Sequence, residues 1–87
     1  MKYFIVYILK CSDSSYYTGH TDDLKSRISD HMCKKHSGYT SSRLPVHLVF
    51  QQEFETRDEA FIAERKIKRW NRNKKELLIS GELFTKR

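Results

Sequence analysis

Three side chains that can handle protons or phosphates stand at helical spacing among apolar residues. Over residues 24–31, Arg27 and His31 share one helical stripe with a leucine and an isoleucine. Over residues 60–67, the same spacing puts Glu64 where the pattern calls for an apolar residue. Because burying an unpaired charge costs free energy, such a group must be paired, bind a metal ion or face a cleft. We therefore predict one cleft that Arg27, His31 and Glu64 all face.

The same spacing also has a purely structural interpretation. An ion pair between Arg27 and Glu64 would hold the two helices in register, and ion-pair networks resemble functional sites. Helix phase alone leaves both interpretations open.

The segment YYTGHT, residues 16–21, adds two phenols and a glycine close to these helices. Tyr17 and Tyr7, on the preceding predicted strand, either pack as an aromatic pair across a hairpin or supply hydroxyls to a site. Gly19 has no Cβ and would let a phosphate approach the backbone, although glycine equally suits a strand exit. Tyr16 alternates to the other face of the strand, and we expect it to pack.

Three further histidines, His20, His36 and His47, fall at strand ends or in loops. We expect them mainly as solvated residues. His20 and His36 are kept as minor candidates for substrate contacts because of their places beside Gly19 and near the predicted cleft.

The first half of the chain predicts a β-hairpin and a helix. KYFIVYILK is rich in β-branched and aromatic residues, the turn cluster SDSS follows, and YYTGHT comes next, so residues 3–10 and 15–20 are expected to pair. Thr21 or Asp22 then caps a helix that runs to about Lys35.

The second half predicts a loop, one strand and two helices. Residues 36–45 have loop composition, and VHLVFQQEF alternates like a third strand. Thr56 and Glu59 form a capping box before a helix to about Trp70, and Asn73 is expected to cap a short last helix. The order β-β-α-β-α-α predicts an α+β fold with a small three-stranded antiparallel sheet flanked by helices.

Composition points to an anionic partner. The chain has 87 residues, with 17 lysines and arginines against 11 acidic residues, a net charge of +6. A chain of this size predicts a single domain, residues 1–87, with no room for a second lobe that would bind a large cofactor. Nucleic acid is the first candidate partner, and an anionic membrane surface is the second.

The cysteines and the apolar runs indicate a cytoplasmic protein. Cys11 and Cys33 do not make the framework of a small secreted domain, and with the neighbouring histidines they do not supply four zinc ligands at paired spacing. No apolar run approaches the roughly 20 residues of a membrane span, and the N-terminus lacks the pattern of a signal peptide. We expect a soluble, unprocessed chain that does not enter a membrane.

A dense basic segment follows Glu64. ERKIKRWNRNKK, residues 64–75, carries seven basic residues and no further acid. They cannot all share one helix face, but a cluster this dense beside Glu64 predicts a surface that follows phosphates without reading sequence. Trp70 is expected at the edge of the core. The expected nucleic-acid-binding residues are Gly19, Lys68, Arg69, Arg72, Lys74 and Lys75.

Together these residues resemble the GIY-YIG nuclease domain. Ile5-Val6-Tyr7 and Tyr17-Thr18-Gly19, with the tyrosines ten positions apart, are similar to the paired motif of that family. An arginine, a histidine one turn later and a glutamate on a later helix follow in the same order. Ile5 replaces the first glycine of the family name and Thr18 replaces its isoleucine. The resemblance covers nearly the whole chain and is closest to the small stand-alone bacterial members.

The resemblance implies roles for five catalytic residues, Tyr7, Tyr17, Arg27, His31 and Glu64. Glu64 would hold one divalent ion, Mg²⁺ or Mn²⁺, and Arg27 would clamp the scissile phosphate. The two tyrosines would flank the attacking water, and one of them would accept its proton. A phenol with a pKa of about 10 is a poor base at neutral pH, so that role needs a nearby cation. His31 would orient a hydroxyl or relay the proton.

The function that the resemblance implies is a metal-dependent endonuclease acting on DNA in preference to RNA. The process served would be DNA repair or recombination. Recognition would depend on DNA structure, because so short a chain has no second domain that could recognise a target sequence. Specificity would otherwise come from a protein partner or from self-association. The alternatives are a binding module that keeps the fold without turnover and a small interaction domain in which Arg27 and Glu64 merely pair.

Overall fold

The computed structural model describes residues 3–32, 40 and 42–81. Within that part of the chain the elements follow in the order β-β-α-β-α-α, which confirms the predicted fold class. They are β1 Phe4–Lys10, β2 Tyr16–Thr21, α1 Leu24–Met32, β3 His47–Phe54, α2 Arg57–Lys68 and α3 Arg72–Ile79. None of the helices in these ranges has the length and apolar content needed to cross a membrane.

The three strands form one antiparallel sheet in the order β2-β1-β3. β1 is the central strand, and its near-continuous apolar run suits a strand that is covered on both faces. Successive side chains of β1 alternate between two separate cores: Val6 and Ile8 belong to one, and Tyr7 and Leu9 belong to the other. In the strand order β2-β1-β3, β2 is one of the two edge strands.

The helices divide between the two faces. α2 and α3 cover the face of Val6 and Ile8, where Ala60, Ala63 and Ile67 are buried. α1 covers the opposite face, with its apolar residues against Tyr7 and Leu9. The predicted stripe of α2 is confirmed, since all four of its residues, Glu64 included, are buried.

Two predicted helix starts are wrong. α1 begins at Leu24, and the Asp23 side chain accepts a hydrogen bond from the Ser26 N–H at 3.2 Å, so Asp23 is the capping residue instead of Thr21 or Asp22. The Thr21 hydroxyl accepts a hydrogen bond from the Asp23 N–H, in the segment that precedes α1. The predicted end of this helix near residue 35 lies outside the described residues, as does most of the predicted loop 36–45.

The last helix is capped by Asn71 and not by Asn73. The Asn71 side chain accepts a hydrogen bond from the Lys74 N–H at 2.9 Å, and its own backbone is extended. The reason is that α2 ends at Lys68, before the predicted Trp70, which leaves room for a cap two residues earlier. The capping box of Thr56 and Glu59 is confirmed.

Candidate active site

Three aromatic rings from β1, β2 and α1 form a cluster on the α1 face of the sheet. Tyr7 is 2% exposed, and its hydroxyl lies 3.2 Å from Nε2 of the fully buried His31. The Tyr17 ring packs on the same histidine, with ring centres 5.2 Å apart, and lies 6.4 Å from the Tyr7 ring. Nδ1 of His31 is 2.7 Å from the hydroxyl of Thr40. Both ring nitrogens of His31 are therefore engaged by hydroxyl groups.

Gly19 provides the space in which the Tyr7 phenol lies. The two residues are direct partners in the β1–β2 ladder, so they share a face of the sheet. A β-carbon at position 19 would stand 2.6 Å from the Tyr7 oxygen and 2.8 Å from the ring carbon that bears it. Any other residue at this position would displace the phenol.

The environment of Tyr7 keeps its hydroxyl protonated. Burial is the largest cause and raises the pKa of Tyr7 well above its ordinary value, and the neighbouring Tyr17 and Glu64 raise it further. Arg27 acts in the opposite direction and lowers this pKa. Arg27 is half-buried, and within the described residues its guanidinium makes no hydrogen bond or ion pair. Among the described residues, Arg27 is thus the positive charge that favours a Tyr7 phenolate.

Glu64 forms a second cluster on the opposite face, under α2. One carboxylate oxygen is hydrogen-bonded to Nδ1 of His20, and the other is 2.7 Å from the Lys68 ammonium. Burial raises the pKa of Glu64, but the hydrogen bonds from Lys68 and His20 outweigh burial, and the net pKa lies below its ordinary value. Glu64 is 8% exposed and is nevertheless an ionised carboxylate at neutral pH.

His20 was expected as a mainly solvated residue, and this prediction is wrong. It pairs with Val6 across the ladder, so its side chain lies on the face covered by α2 and reaches Glu64. The sequence contained a signal for this position of His20. Successive residues of a strand point to opposite faces, so His20 had to lie on the face opposite Gly19. Thr40 was also missed, and the sequence holds no local signal for a contact between a loop hydroxyl and a helical histidine.

The two clusters lie on the two faces of the edge strand β2. Tyr17 and Gly19 point to one face of this strand, and His20 points to the other. The Glu64 carboxylate is close enough to Tyr7 to raise the pKa of the phenol. The alternative of an Arg27–Glu64 ion pair does not hold in the described part of the chain, because His20 and Lys68 occupy the two carboxylate oxygens.

Glu64 fits a metal ion that needs only one protein ligand. Across the described residues there is no group of three or more histidine, cysteine, aspartate or glutamate side chains that could hold a metal. Mg²⁺ is suited to such a site because it keeps several waters and takes the remaining oxygens from phosphates. The Lys68 ammonium already sits against one oxygen of Glu64, which shows that the carboxylate attracts a cation there. An ion bound at that oxygen would take the place of the Lys68 ammonium.

The five basic residues among the predicted nucleic-acid-binding residues lie in three places, apart from Gly19 in β2. Lys68 lies against Glu64, and Lys75 is close enough to be affected by its charge, since burial first and then Lys68 lower the pKa of Lys75. Arg69 closes the C-terminal end of α2, and Lys74 lies over the Trp70 ring. Arg72 is not part of either group, because its guanidinium is bound to the hairpin and to α3. Trp70 packs at the edge of the core, as predicted.

The fold and the sequence motifs of this chain are those of a known class of nuclease domain. The family model of the GIY-YIG catalytic domain matches residues 3–76. The chain therefore belongs to the GIY-YIG family, as its motifs predicted. This is a nuclease superfamily whose members act on nucleic acid and generally use a divalent metal ion.

Individual relatives are small proteins of similar length. A UPF0213 protein of Staphylococcus aureus is 47% identical over 74 residues, which cover 85% of this chain and 90% of that protein. The solution NMR structure of a UPF0213 protein from Bacillus halodurans is similar with a TM-score of 0.59 at 42% identity, covering 92% of this chain and 84% of that one. A protein from E. faecalis, also solved by NMR, gives a TM-score of 0.64 at 30% identity, covering 100% and 94% of the two chains.

Proposed function

We propose that this protein is a metal-dependent endonuclease that hydrolyses phosphodiester bonds in DNA. The observation that carries the proposal is a pair of groups on the two faces of β2: a phenol held between Gly19 and His31, and an ionised, buried carboxylate at Glu64 whose charge acts on the phenol. Hydrolysis of a phosphodiester needs a base for the attacking water and positive charge on the phosphate. Family membership supplies the reaction class, and these residues supply candidates for each task.

Tyr7 is the group that we assign as the base. Its hydroxyl can pass a proton to Nε2 of His31, while the other ring nitrogen of His31 donates to Thr40. The phenolate then accepts the proton of the attacking water as the new P–O bond forms and the bond to the leaving oxygen breaks. The leaving oxygen keeps the electron pair of that bond and takes a proton from a solvent water. Because burial opposes the phenolate, this role depends on positive charge arriving near Tyr7. Tyr17 packs on the same histidine and would help to position the water.

Arg27 and Glu64 would serve to neutralise the negative charge of the substrate phosphate, Arg27 directly and Glu64 through a bound ion. The Arg27 guanidinium has two donors that match two phosphate oxygens, and a bound phosphate would give it a partner. Glu64 would hold a single divalent ion, Mg²⁺ or Mn²⁺. When bound, that ion supplies charge neutralisation at the phosphate. Lys68 and Lys75 would hold the neighbouring phosphates.

The wider role is also part of the proposal. We propose that residues 1–87 act as one domain in the cytoplasm, that recognition depends on DNA structure, and that the process served is repair or recombination. A protein partner or self-association would otherwise supply specificity. The second candidate is a binding module without turnover. The Lys68–Glu64 ion pair favours that candidate, because it already neutralises the carboxylate.

The test is a cleavage assay with labelled duplex, branched and single-stranded DNA and RNA, run with Mg²⁺, with Mn²⁺ and with a chelator. Glu64→Gln is the test variant, since it removes the charge and keeps the size of the side chain. Glu53→Gln is the matched control, an exposed carboxylate on β3 at the opposite edge of the sheet. Metal-dependent cleavage that is lost only in Glu64→Gln supports the endonuclease. Binding without cleavage of every substrate supports the binding module.

A further inference from the structure

A groove of about 420 Å³ runs along α2 to the turn that follows it. Its lining is half apolar and half cationic, and contains no acidic residue. The lining residues are Phe61, Ile62, Arg65, Lys66, Arg69 and Trp70.

Two of the three apolar residues of the groove, Phe61 and Ile62, are not needed for the core. Phe61 is 44% exposed and Ile62 is 65% exposed, whereas the opposite face of α2 is buried against the sheet. Cations lie on the aromatic faces nearby: the Arg65 guanidinium is 5.6 Å from the centre of the Phe61 ring, and the Lys74 ammonium is 4.5 Å from the centre of Trp70. A group that is both flat and anionic would suit such a surface, because it can stack on a ring and pair with the cations beside it.

The groove begins beside the candidate active site. The Phe61 ring packs edge-on against the His20 ring at 6.0 Å, and His20 is hydrogen-bonded to Glu64. Phe61 and Glu64 are three residues apart on α2, which is about 4.5 Å along the helix axis. A strand whose phosphate lies at Glu64 would therefore pass directly into the groove.

We propose that this groove binds an unpaired nucleotide of the substrate strand next to the scissile phosphate. Its base would stack on Phe61, close to Trp70, and Arg65 and Arg69 would bind its phosphates. Aromatic rings combined with a positive groove are the means by which proteins hold single-stranded nucleic acid. The bases of a duplex are stacked inside the helix and cannot reach such rings. The position of the scissile phosphate rests on the proposed function, and the nucleotide site itself does not.

Charge selects this occupant over a second copy of the chain. A symmetric contact through the groove would bring six cations together, with no acidic residue in either lining to compensate. A nucleotide strand brings one negative charge per phosphate and releases counterions when it binds. The enzyme would thus select nucleic acid in which the strand is unpaired beside the cleavage point.

The single tryptophan of the chain, Trp70, makes direct measurement possible. Trp70 fluorescence is titrated with a short oligothymidylate and with a duplex of the same length, in chelator so that no cleavage occurs. We expect quenching by the single strand at concentrations at which the duplex has no effect. Phe61→Leu keeps an apolar side chain and removes the ring, and it should weaken binding about tenfold, as the loss of one base stack does. Arg69→Gln should lower the salt slope by about one.

Two variants outside the groove are the matched controls. Leu77→Ala alters an apolar side chain on α3 that is 44% exposed, like Phe61, and Arg57→Gln removes a charge at the start of α2. Both should bind as the unaltered protein does. Equal affinity for duplex and single strand, or unchanged binding by Phe61→Leu, would overturn the proposal. So would sedimentation that shows a dimer broken by Ile62→Glu, together with no quenching by the oligonucleotide.

Failure of this proposal can be told apart from failure of the proposed function. Glu64-dependent cleavage that is indifferent to Phe61→Leu would leave the nuclease standing and remove the nucleotide site. Single-strand binding that depends on Phe61, without cleavage of any substrate, would keep the nucleotide site and remove the nuclease.

Discussion

The hydroxyl of Tyr7 lies over Gly19 so closely that a β-carbon at position 19 would stand 2.6 Å from the phenolic oxygen. Tyr7 cannot easily move away, because it is buried in the central strand and hydrogen-bonded to His31. The glycine in YYTGHT is therefore explained by side-chain packing as well as by the phosphate approach that the motif suggested. The Tyr7 phenol can occupy this position because residue 19, its partner in the neighbouring strand, is a glycine and has no side chain.

Gly19→Ala is expected to reduce cleavage without removing any functional group. The new methyl group would push the phenol from its place against His31, and a displacement of about 1 Å in a reacting group can cost about a hundredfold in rate. The measurement is the initial cleavage rate on the best substrate of the panel, together with thermal unfolding to show that the variant is folded.

Gly81→Ala is the control for the glycine-to-alanine change. Gly81 has φ of +87° and open space around it, so alanine there costs about 1 kcal/mol of unfolding free energy through backbone strain. Its cleavage rate should be unchanged. Cleavage by Gly19→Ala at the unaltered rate would show that the phenol has no catalytic role.

The raised pKa of Tyr7 predicts a loss of stability in alkali. Burial first, and Tyr17 next, make the folded state hold the phenolic proton more tightly than the unfolded chain does. The contribution of Tyr7 to stability is therefore complete below the unfolded pKa of about 10 and is lost as pH rises from there towards the folded pKa. Denaturant unfolding at a series of alkaline pH values should show a steeper decline for the unaltered protein than for Tyr7→Phe. Parallel declines would mean that Tyr7 titrates normally.

The sequence predicted the fold and five catalytic candidates because their signals are local or periodic. The alternation of the strands, the capping box at Thr56 and the stripe that includes Glu64 all depend on residues within a few positions of one another. The GIY-YIG motif added the order of the candidates along the chain. Such signals are enough to place Tyr7 and His31 on their elements, and the ladder then brings Tyr7 to Gly19.

The parts that the sequence did not predict depend on contacts between distant elements. His20 meets Glu64 across 44 positions, and Arg72 meets the Ser14 carbonyl across 58. Neither contact has a pattern in the sequence, because it follows from how α2 and α3 are laid across the hairpin. Basic residues in particular look alike in a sequence, whether they bind phosphate or hold two elements together.

Arg72 is expected to affect stability more than nucleic-acid binding. Its guanidinium donates to the Ser14 carbonyl at 2.7 Å and to Glu76 at 3.1 Å, and it lies over the Tyr16 ring at 4.8 Å. Arg72→Gln should lower the unfolding free energy by about 1 kcal/mol, the usual size of one hydrogen bond with an exposed cation–π contact. The salt slope of DNA binding should barely change.

The comparison for Arg72 is Arg69→Gln, which removes the same charge three residues earlier. Arg69 is an exposed groove residue, so its loss should lower the salt slope by about one and leave thermal unfolding nearly unaltered. Arg72→Gln should thus lower stability and leave the salt slope unchanged, whereas Arg69→Gln should lower the salt slope and leave stability unchanged. A lower salt slope for Arg72→Gln, with unchanged stability, would show that Arg72 binds phosphate, as the sequence predicted.

Lys68 is expected to compete with the metal ion for Glu64. Its ammonium lies 2.7 Å from one carboxylate oxygen, yet the lysine side chain is half exposed, so the pair contributes only what a surface ion pair one helical turn apart does. Lys68→Met removes this competitor and keeps the length of the side chain. Mn²⁺ binding, followed by paramagnetic broadening without nucleic acid, should become about twofold tighter, since such a pair contributes about 0.3–0.5 kcal/mol. Lys25→Met, an exposed lysine on α1, controls for the change in net charge. Weaker Mn²⁺ binding in Lys68→Met than in Lys25→Met would mean that Lys68 helps to hold the ion and does not compete with it for Glu64.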